Sequence, residues 1–175
     1  MGTERAAFRD YVHDVPDFPR PGVVYRDITP LLADPVQLRR AVDALVGSVA
    51  PLAPDIVVCP EARGFLLAAP IAVALGVALV PARKAGRLPG PTHSIDYELD
   101  YGPDRLEIKR GAVPSGARAV LVDDVLATGG TAGALVELVG EMGGQVVGAA
   151  FAVEITELGG REGLAGASCW SLVQI

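Results

Sequence analysis

The sequence predicts an α/β domain with a mostly parallel central sheet and helices on both of its faces. Apolar, β-branched runs alternate with helical patterns along the chain, which is how such sheets are connected. One of those runs ends in two consecutive acids followed by a Gly-Gly turn and a helical pattern, and open α/β sheets place their ligands at that kind of strand end. With 175 residues, half of them hydrophobic, the chain can close one sizeable core, so a single domain over residues 1–175 is expected.

The first clear helix opens at Asp34-Pro35, an N-cap followed by a first-turn proline, and Val42, Leu45, Val46 and Val49 then recur on one face. Asp55 to Cys59 (DIVVC) reads as a short buried strand, Gly64 to Leu75 as a helix and Val77 to Ala82 as the next strand. Val120 to Val122 forms a central strand. Thr131 to Met142 is a helix stopped by Gly143-Gly144, and Val146 to Val153 returns to strand. The final CWSLVQI is expected to add an edge strand.

Between the second and third of these strands lies residues 84–110, rich in glycine, proline and charge. Tyr97 to Asp100 and Leu106 to Lys109 read as the arms of a hairpin around Gly102-Pro103. A long excursion inside a compact domain is usually functional, and a flexible lid over an active site is the expected role.

Twenty-one acidic residues against 15 basic ones give a formal charge of -6, so no global field attracts nucleic acid or an anionic membrane. Any phosphate site must be local. The first eleven residues carry Glu4, Arg5, Arg9 and Asp10 and lack the apolar stretch of a secretory signal, which points to the cytoplasm. Phe65 to Val80 is apolar for 16 residues but interrupted by Pro70 and Gly76, too short to span a bilayer. Cys59 and Cys169 stand far apart, and neither they nor His13 and His93 cluster at metal-ligand spacing, so reduced core thiols are expected and a zinc site is not.

The richest segment is Ala119-Val-Leu-Val-Asp-Asp-Val-Leu-Ala-Thr-Gly-Gly-Thr131. Ala127, Thr128, Gly129, Gly130 and Thr131 bring backbone N–H groups to a helix N-terminus, two hydroxyls, and glycines that let the chain curl around an anion. The lysine of a nucleoside triphosphate P-loop is absent. Asp123 and Asp124 suit a diol instead, as acceptors for ribose hydroxyls or, through Mg²⁺, for ribose and pyrophosphate oxygens together.

Strand, acid pair, Ala-Thr-Gly-Gly-Thr and helix in that order resemble the phosphoribosyl pyrophosphate signature of type I phosphoribosyltransferases. Asp17 to Pro30 (DFPRPGVVYRDITP), Glu61-Ala-Arg-Gly-Phe65 and Arg83 to Thr92 (RKAGRLPGPT) resemble motifs of the adenine-specific branch, so the resemblance covers nearly the whole chain. It implies the type I phosphoribosyltransferase fold, with residues 1–33 as a base-binding hood and residues 84–110 as the lid. It also implies purine salvage: transfer of the phosphoribosyl group to adenine, giving AMP and pyrophosphate, with Mg²⁺ as cofactor and a homodimer as the working form.

By the same resemblance, Val24 offers main-chain groups to the Watson–Crick edge of adenine, and Tyr25 and Arg26 flank the base. Asp123, Asp124 and residues 127–131 hold the ribose 5-phosphate. Arg63, Lys84 and Arg87, with Arg83 beside them, meet the pyrophosphate, for which a guanidinium is a fitting partner. Asp100 serves as general acid or base at the purine and Tyr101 closes over the site. Where the family carries Glu-Tyr-Gly, this chain has Asp100-Tyr101-Gly102, a carboxylate one methylene shorter; Ala85 and Arg87 also depart from the usual residues. Two rivals remain. A transferase for an oxo-purine would want a lysine within Ala149 to Glu157, where none occurs, and a regulator that senses phosphoribosyl pyrophosphate would want a basic DNA-binding domain.

Overall fold

In the computed structural model, residues 8–99 and 102–175 are described. The N-terminal part is a small antiparallel ribbon of β1 (His13–Pro16) and β2 (Val24–Asp27), paired from His13↔Asp27 to Pro16↔Val24 and separate from the main sheet. A short helix α1 (Thr29–Ala33) follows, entered through Asp27, whose Oδ1 accepts from the Thr29 amide at 2.9 Å and its hydroxyl at 2.6 Å. Helix α2 (Pro35–Val49) starts where the sequence predicts: Asp34 Oδ1 accepts from the amides of Val36 and Gln37 at 2.9 and 3.0 Å. Such a cap is worth about 1 kcal/mol. Ala41, Val42, Leu45 and Val49 form its buried stripe.

The main sheet has the order β5-β6-β4-β3-β7-β8-β9 among the described residues. Its parallel part comprises β4 (Ala78–Lys84), β3 (Ile56–Pro60), β7 (Arg118–Leu126), β8 (Gln145–Glu154) and β9 (Ser168–Gln174). The hairpin β5 (Thr92–Leu99) and β6 (Gly102–Lys109) extends one edge antiparallel, joined to β4 through Arg83↔Glu107 and Lys84↔Leu106. β9 is the opposite edge, as its sequence led us to expect. Because the chain leaves β3 toward β4 and later returns to β7 on β3's other side, the strand order reverses between β3 and β7, the place where such sheets open a crevice.

Helix α3 (Gly64–Leu75) ends at Gly76 in the left-handed region, φ 69°, and α4 (Gly130–Glu141) is followed by Gly143 at φ 83°. Two apolar layers flank the sheet. One gathers α2 and α3 with Val57, Cys59, Val120 and Val122; the other gathers Leu135, Leu138 and Val139 of α4 with Ile56, Val58, Leu121, Leu106 and Ile108. The opposite allegiance of adjacent residues such as Val120 and Leu121 is the two-residue period of a strand covered on both faces. Each fully buried Leu, Ile or Val here contributes roughly 1.5–3 kcal/mol. Burial pushes the Cys59 thiol up to about 12, with the Asp123 charge adding to it, so it is an inert core residue.

Several elements run longer than their apolar patterns predict. β4 continues through Arg83 and Lys84 because β6 supplies a second hydrogen-bonding neighbour there. β7 carries both acids and continues to Leu126, since β8 pairs with it at Asp123↔Phe151, Val125↔Val153 and Leu126↔Glu154. The hairpin arms span 92–99 and 102–109, and Gly102-Pro103, expected at the turn, belongs to β6. Asp100 and Tyr101 lie outside the described residues. Among those described, no helix is long and apolar enough to cross a membrane.

Candidate active site

The carboxyl ends of β3, β4 and β7, the ribbon strand β2 and the turn-proximal half of the β5–β6 hairpin converge on one pocket of roughly 330 Å³. That size lies within the range of small-ligand sites, about 300–1,000 Å³. The structure brings together here Val24, Tyr25, Arg26, Arg63, Lys84, Asp123, Asp124, Ala127, Thr128, Gly129, Gly130 and Thr131. Arg83 and Arg87 do not line it. Arg83 neighbours Lys84 on a strand, so it points to the other face, where it pairs with Glu61 and lies near the Phe65 ring. Arg87 follows the turn at Gly86 and is exposed.

The anion cradle follows from the chain's path after β7. Gly129 takes φ 86° as the N-cap of α4, and no side chain caps the helix. The amides of Gly130, Thr131 and Ala132 in that first turn have no acceptor within the helix, and they face a pocket where negative charge is favoured by the helix dipole. This loop is backed by the turn that contains Gly160 and Gly163. A Cβ at Gly163 would stand 2.6 Å from the Gly129 carbonyl oxygen, and one at Gly160 would collide with the Ala127 carbonyl oxygen. Only glycine allows backbones to meet so closely. The turn is tethered by Arg161, which donates from Nε and Nη2 to Glu154 at 2.5 and 2.7 Å, while Ser171 and Gln174 of β9 donate to the same carboxylate at 2.7 and 3.0 Å.

Beside the cradle stands the acid pair. Gly64 opens the way for it, because a Cβ there would lie 2.9 Å from Asp123 Oδ1. Burial and the adjacent Asp124 charge push the Asp123 carboxyl well above the usual carboxylate range, opposed in part by Arg63. Asp124 is only 4% exposed, and Arg63 Nε lies 2.7 Å from its Oδ2. The Arg63 guanidinium also stacks over Tyr25 at 4.6 Å from the ring centre, and Tyr25 in turn meets Phe18 edge-on at 5.2 Å. Arg26 is held by Asp14 at 2.6 Å. Arg63 Nη1 and Arg26 Nε are buried with no hydrogen-bond partner among the described residues. Buried donors of that kind need an acceptor that water or a bound ligand can supply.

Tyr97 and Asp104, cross-strand partners toward the turn end of the hairpin, also line the pocket and are absent from the residues that the motifs single out. Asp104 Oδ2 accepts from Lys84 Nζ at 3.0 Å and from the Tyr97 hydroxyl at 3.5 Å. Burial pushes the Tyr97 phenol up, against the pull of the neighbouring Thr131 hydroxyl. The alternation of Ile95 and Tyr97 with charged or polar neighbours is the signal that places Tyr97 on the inner face; nothing in the local sequence marks Asp104.

Residues 35–163 match the family model of the phosphoribosyl transferase domain. The chain is 51% identical over 166 residues to adenine phosphoribosyltransferase of Thermobifida fusca, covering 94% of each chain. It superposes on the crystal structure of adenine phosphoribosyltransferase from Thermoanaerobacter pseudethanolicus with a TM-score of 0.94 and 43% identity, over 98% of this chain and 99% of that one. The Saccharomyces cerevisiae enzyme, solved with an imino-altritol bisphosphate and adenine, matches at 0.91 and 35%, over 98% and 99%. With its reversed strand order, glycine-backed anion loop and paired acids, the chain belongs to the phosphoribosyltransferase family, among the adenine phosphoribosyltransferases.

Proposed function

We infer that this protein transfers the 5-phosphoribosyl group of phosphoribosyl pyrophosphate to adenine, forming AMP and pyrophosphate in purine salvage. The observation that carries this reading is the juxtaposition of an uncapped helix N-terminus, two carboxylates and two buried, unpartnered arginine N–H groups with the aromatic ribbon strand β2 in a single pocket. The 127–131 loop takes the 5-phosphate, and Asp123 and Asp124 take the ribose hydroxyls. Val24, Tyr25 and Arg26 take the base, with residues 1–33 acting as the hood of a single domain.

Positive charge develops on the ribose as pyrophosphate departs, so catalysis consists mainly of positioning and of cations aimed at the leaving group. Arg63 and Lys84 supply those cations from the pocket wall, whereas Arg83 and Arg87 lie outside it. Among the described residues no cluster of three or more histidines, cysteines and carboxylates forms a metal cage, so Asp123 and Asp124 would hold Mg²⁺ together with substrate oxygens. When bound, Mg²⁺ neutralises charge on the pyrophosphate oxygens. The working form is a cytoplasmic homodimer, and residues 84–110 are its lid, with Tyr101 excluding water.

The test is pyrophosphate release from phosphoribosyl pyrophosphate and Mg²⁺ with adenine, hypoxanthine, guanine, xanthine, uracil and orotate in parallel. Release with adenine alone is expected; release with an oxo-purine instead would overturn the assignment of Val24 to Arg26. Asp123→Asn should weaken phosphoribosyl pyrophosphate binding by about tenfold or more while adenine affinity, measured by calorimetry, stays within about twofold. Equal losses for both ligands would count against the ribose role. Asp100→Asn should lower kcat by about 10²–10⁴ with KM for adenine retained, the range for loss of a general acid or base, and an unchanged kcat would remove Asp100 from the chemistry.

A further inference from the structure

We propose that Asp104 is a counter-charge for Lys84 that parks the ammonium against the hairpin and holds down the protein's affinity for pyrophosphate. The proposal rests on the reading that pyrophosphate lies against Lys84. A carboxylate is an unexpected wall for a pocket built to take anions, and the other acids here have different surroundings. Asp123 and Asp124 stand within β7, Asp124 paired with Arg63, and Glu61 is occupied by Arg83 on the other face of β4. Asp104 alone of these comes from the hairpin, and its Oδ2 receives both Lys84 Nζ at 3.0 Å and the Tyr97 hydroxyl at 3.5 Å.

The Arg105 amide, which donates to Asp104 Oδ1 at 2.8 Å, anchors the carboxylate, and the exposures agree: the Asp104 side chain is 21% exposed while that of Lys84 is 55% exposed. The lysine is therefore the mobile partner. An ion pair this open to water is worth only about 0–1 kcal/mol, so an incoming polyanion can take the ammonium over at little cost. Once it has done so, the Asp104 charge is left facing the polyanion across the lysine. That repulsion raises the energy of bound pyrophosphate and favours its departure, a step that limits turnover in many enzymes with lids. Because Lys84 pairs with Leu106 on β6 and reaches Asp104 two residues further along that strand, the same contact ties the turn-proximal half of the hairpin to the occupancy of the lysine.

The decisive experiment is calorimetric titration of pyrophosphate into the whole protein with Mg²⁺, for wild type, Asp104→Asn, Lys84→Met and the double variant. Asp104→Asn should tighten pyrophosphate binding about tenfold at low salt, with the gain shrinking as ionic strength rises and adenine affinity unchanged. In the Lys84→Met background the gain from Asp104→Asn should shrink but persist, because the ion-pair part acts through the lysine while the repulsion acts on pyrophosphate directly. Unchanged or weaker pyrophosphate binding by Asp104→Asn, with Asp104→Ser giving the same result, would overturn the proposal. Lys84→Met without effect on pyrophosphate would instead remove Lys84 from the site, and the proposal would fall with that reading.

Discussion

Gly129→Ala should lower kcat/KM for phosphoribosyl pyrophosphate by at least about a hundredfold and destabilise the fold by about 2–5 kcal/mol. Two costs add. A left-handed backbone at φ 86° costs an alanine about 1–2 kcal/mol, and the new methyl would press into the Gly160 carbonyl, an overpacking that costs typically 1–3 kcal/mol. Relief of the clash has to move the loop whose amides face the pocket, and displacement of a positioning group by about 1 Å can cost a hundredfold in rate. Gly140→Ala, in the same helix but with open space around it, should be neutral or stabilising by up to about 1 kcal/mol and keep its activity. Urea denaturation and initial rates at varied phosphoribosyl pyrophosphate separate the two effects. Full activity in Gly129→Ala would show that the loop's curvature is not what binds the phosphate.

Glu154→Gln should destabilise the protein by about 2–3 kcal/mol at neutral pH, through loss of the charge in a buried carboxylate that accepts from Arg161, Ser171 and Gln174. Hydrogen bonds from Arg161 lead the causes that hold this carboxyl at about 2, below its ordinary 4.5. A depressed folded-state value means the folded protein keeps the proton off where the unfolded chain would take it up. The stabilisation is therefore complete above about pH 4.5 and lost as pH falls toward 2. The glutamine variant lacks it throughout, so the two denaturation midpoints, well apart at pH 7, should converge on acidification. A gap that stays constant down to pH 2.5 would show that the Glu154 charge contributes nothing.

The parts of this fold that were legible in the sequence are those where a local signal and the tertiary environment agree. Asp34 caps α2 by its own carboxylate, Gly143 stops α4 by its own φ, and Ile56 to Pro60 are apolar because both faces of β3 are covered. The phosphate loop was readable for a similar reason, since its chemistry is concentrated in one uninterrupted segment. Strands outrun the apolar pattern where polar residues continue a ladder, as at Lys84 and Asp123, because hydrogen bonding to a neighbour strand does not depend on side-chain polarity. Asp104 carries no local signal, and Tyr97 none beyond strand alternation, because their place in the pocket comes from a cross-strand pairing and from a lysine some twenty residues away. Gly160 and Gly163 likewise look like ordinary turn residues until the backbone they touch is known.

The ribbon that carries Val24, Tyr25 and Arg26 shares no ladder with the seven-stranded sheet that carries the anion loop. On the reading proposed above, recognition of the base and recognition of the sugar phosphate would be mounted on separate ladders, with Arg63 over Tyr25 as one contact between them. A chain built this way can be redesigned one module at a time. Exchanging the 13–27 ribbon for a differently shaped one would alter which heterocycle is accepted and leave the donor-substrate machinery in register, whereas no comparable exchange is open to the 127–131 loop, whose form is set by main chain pressed against main chain.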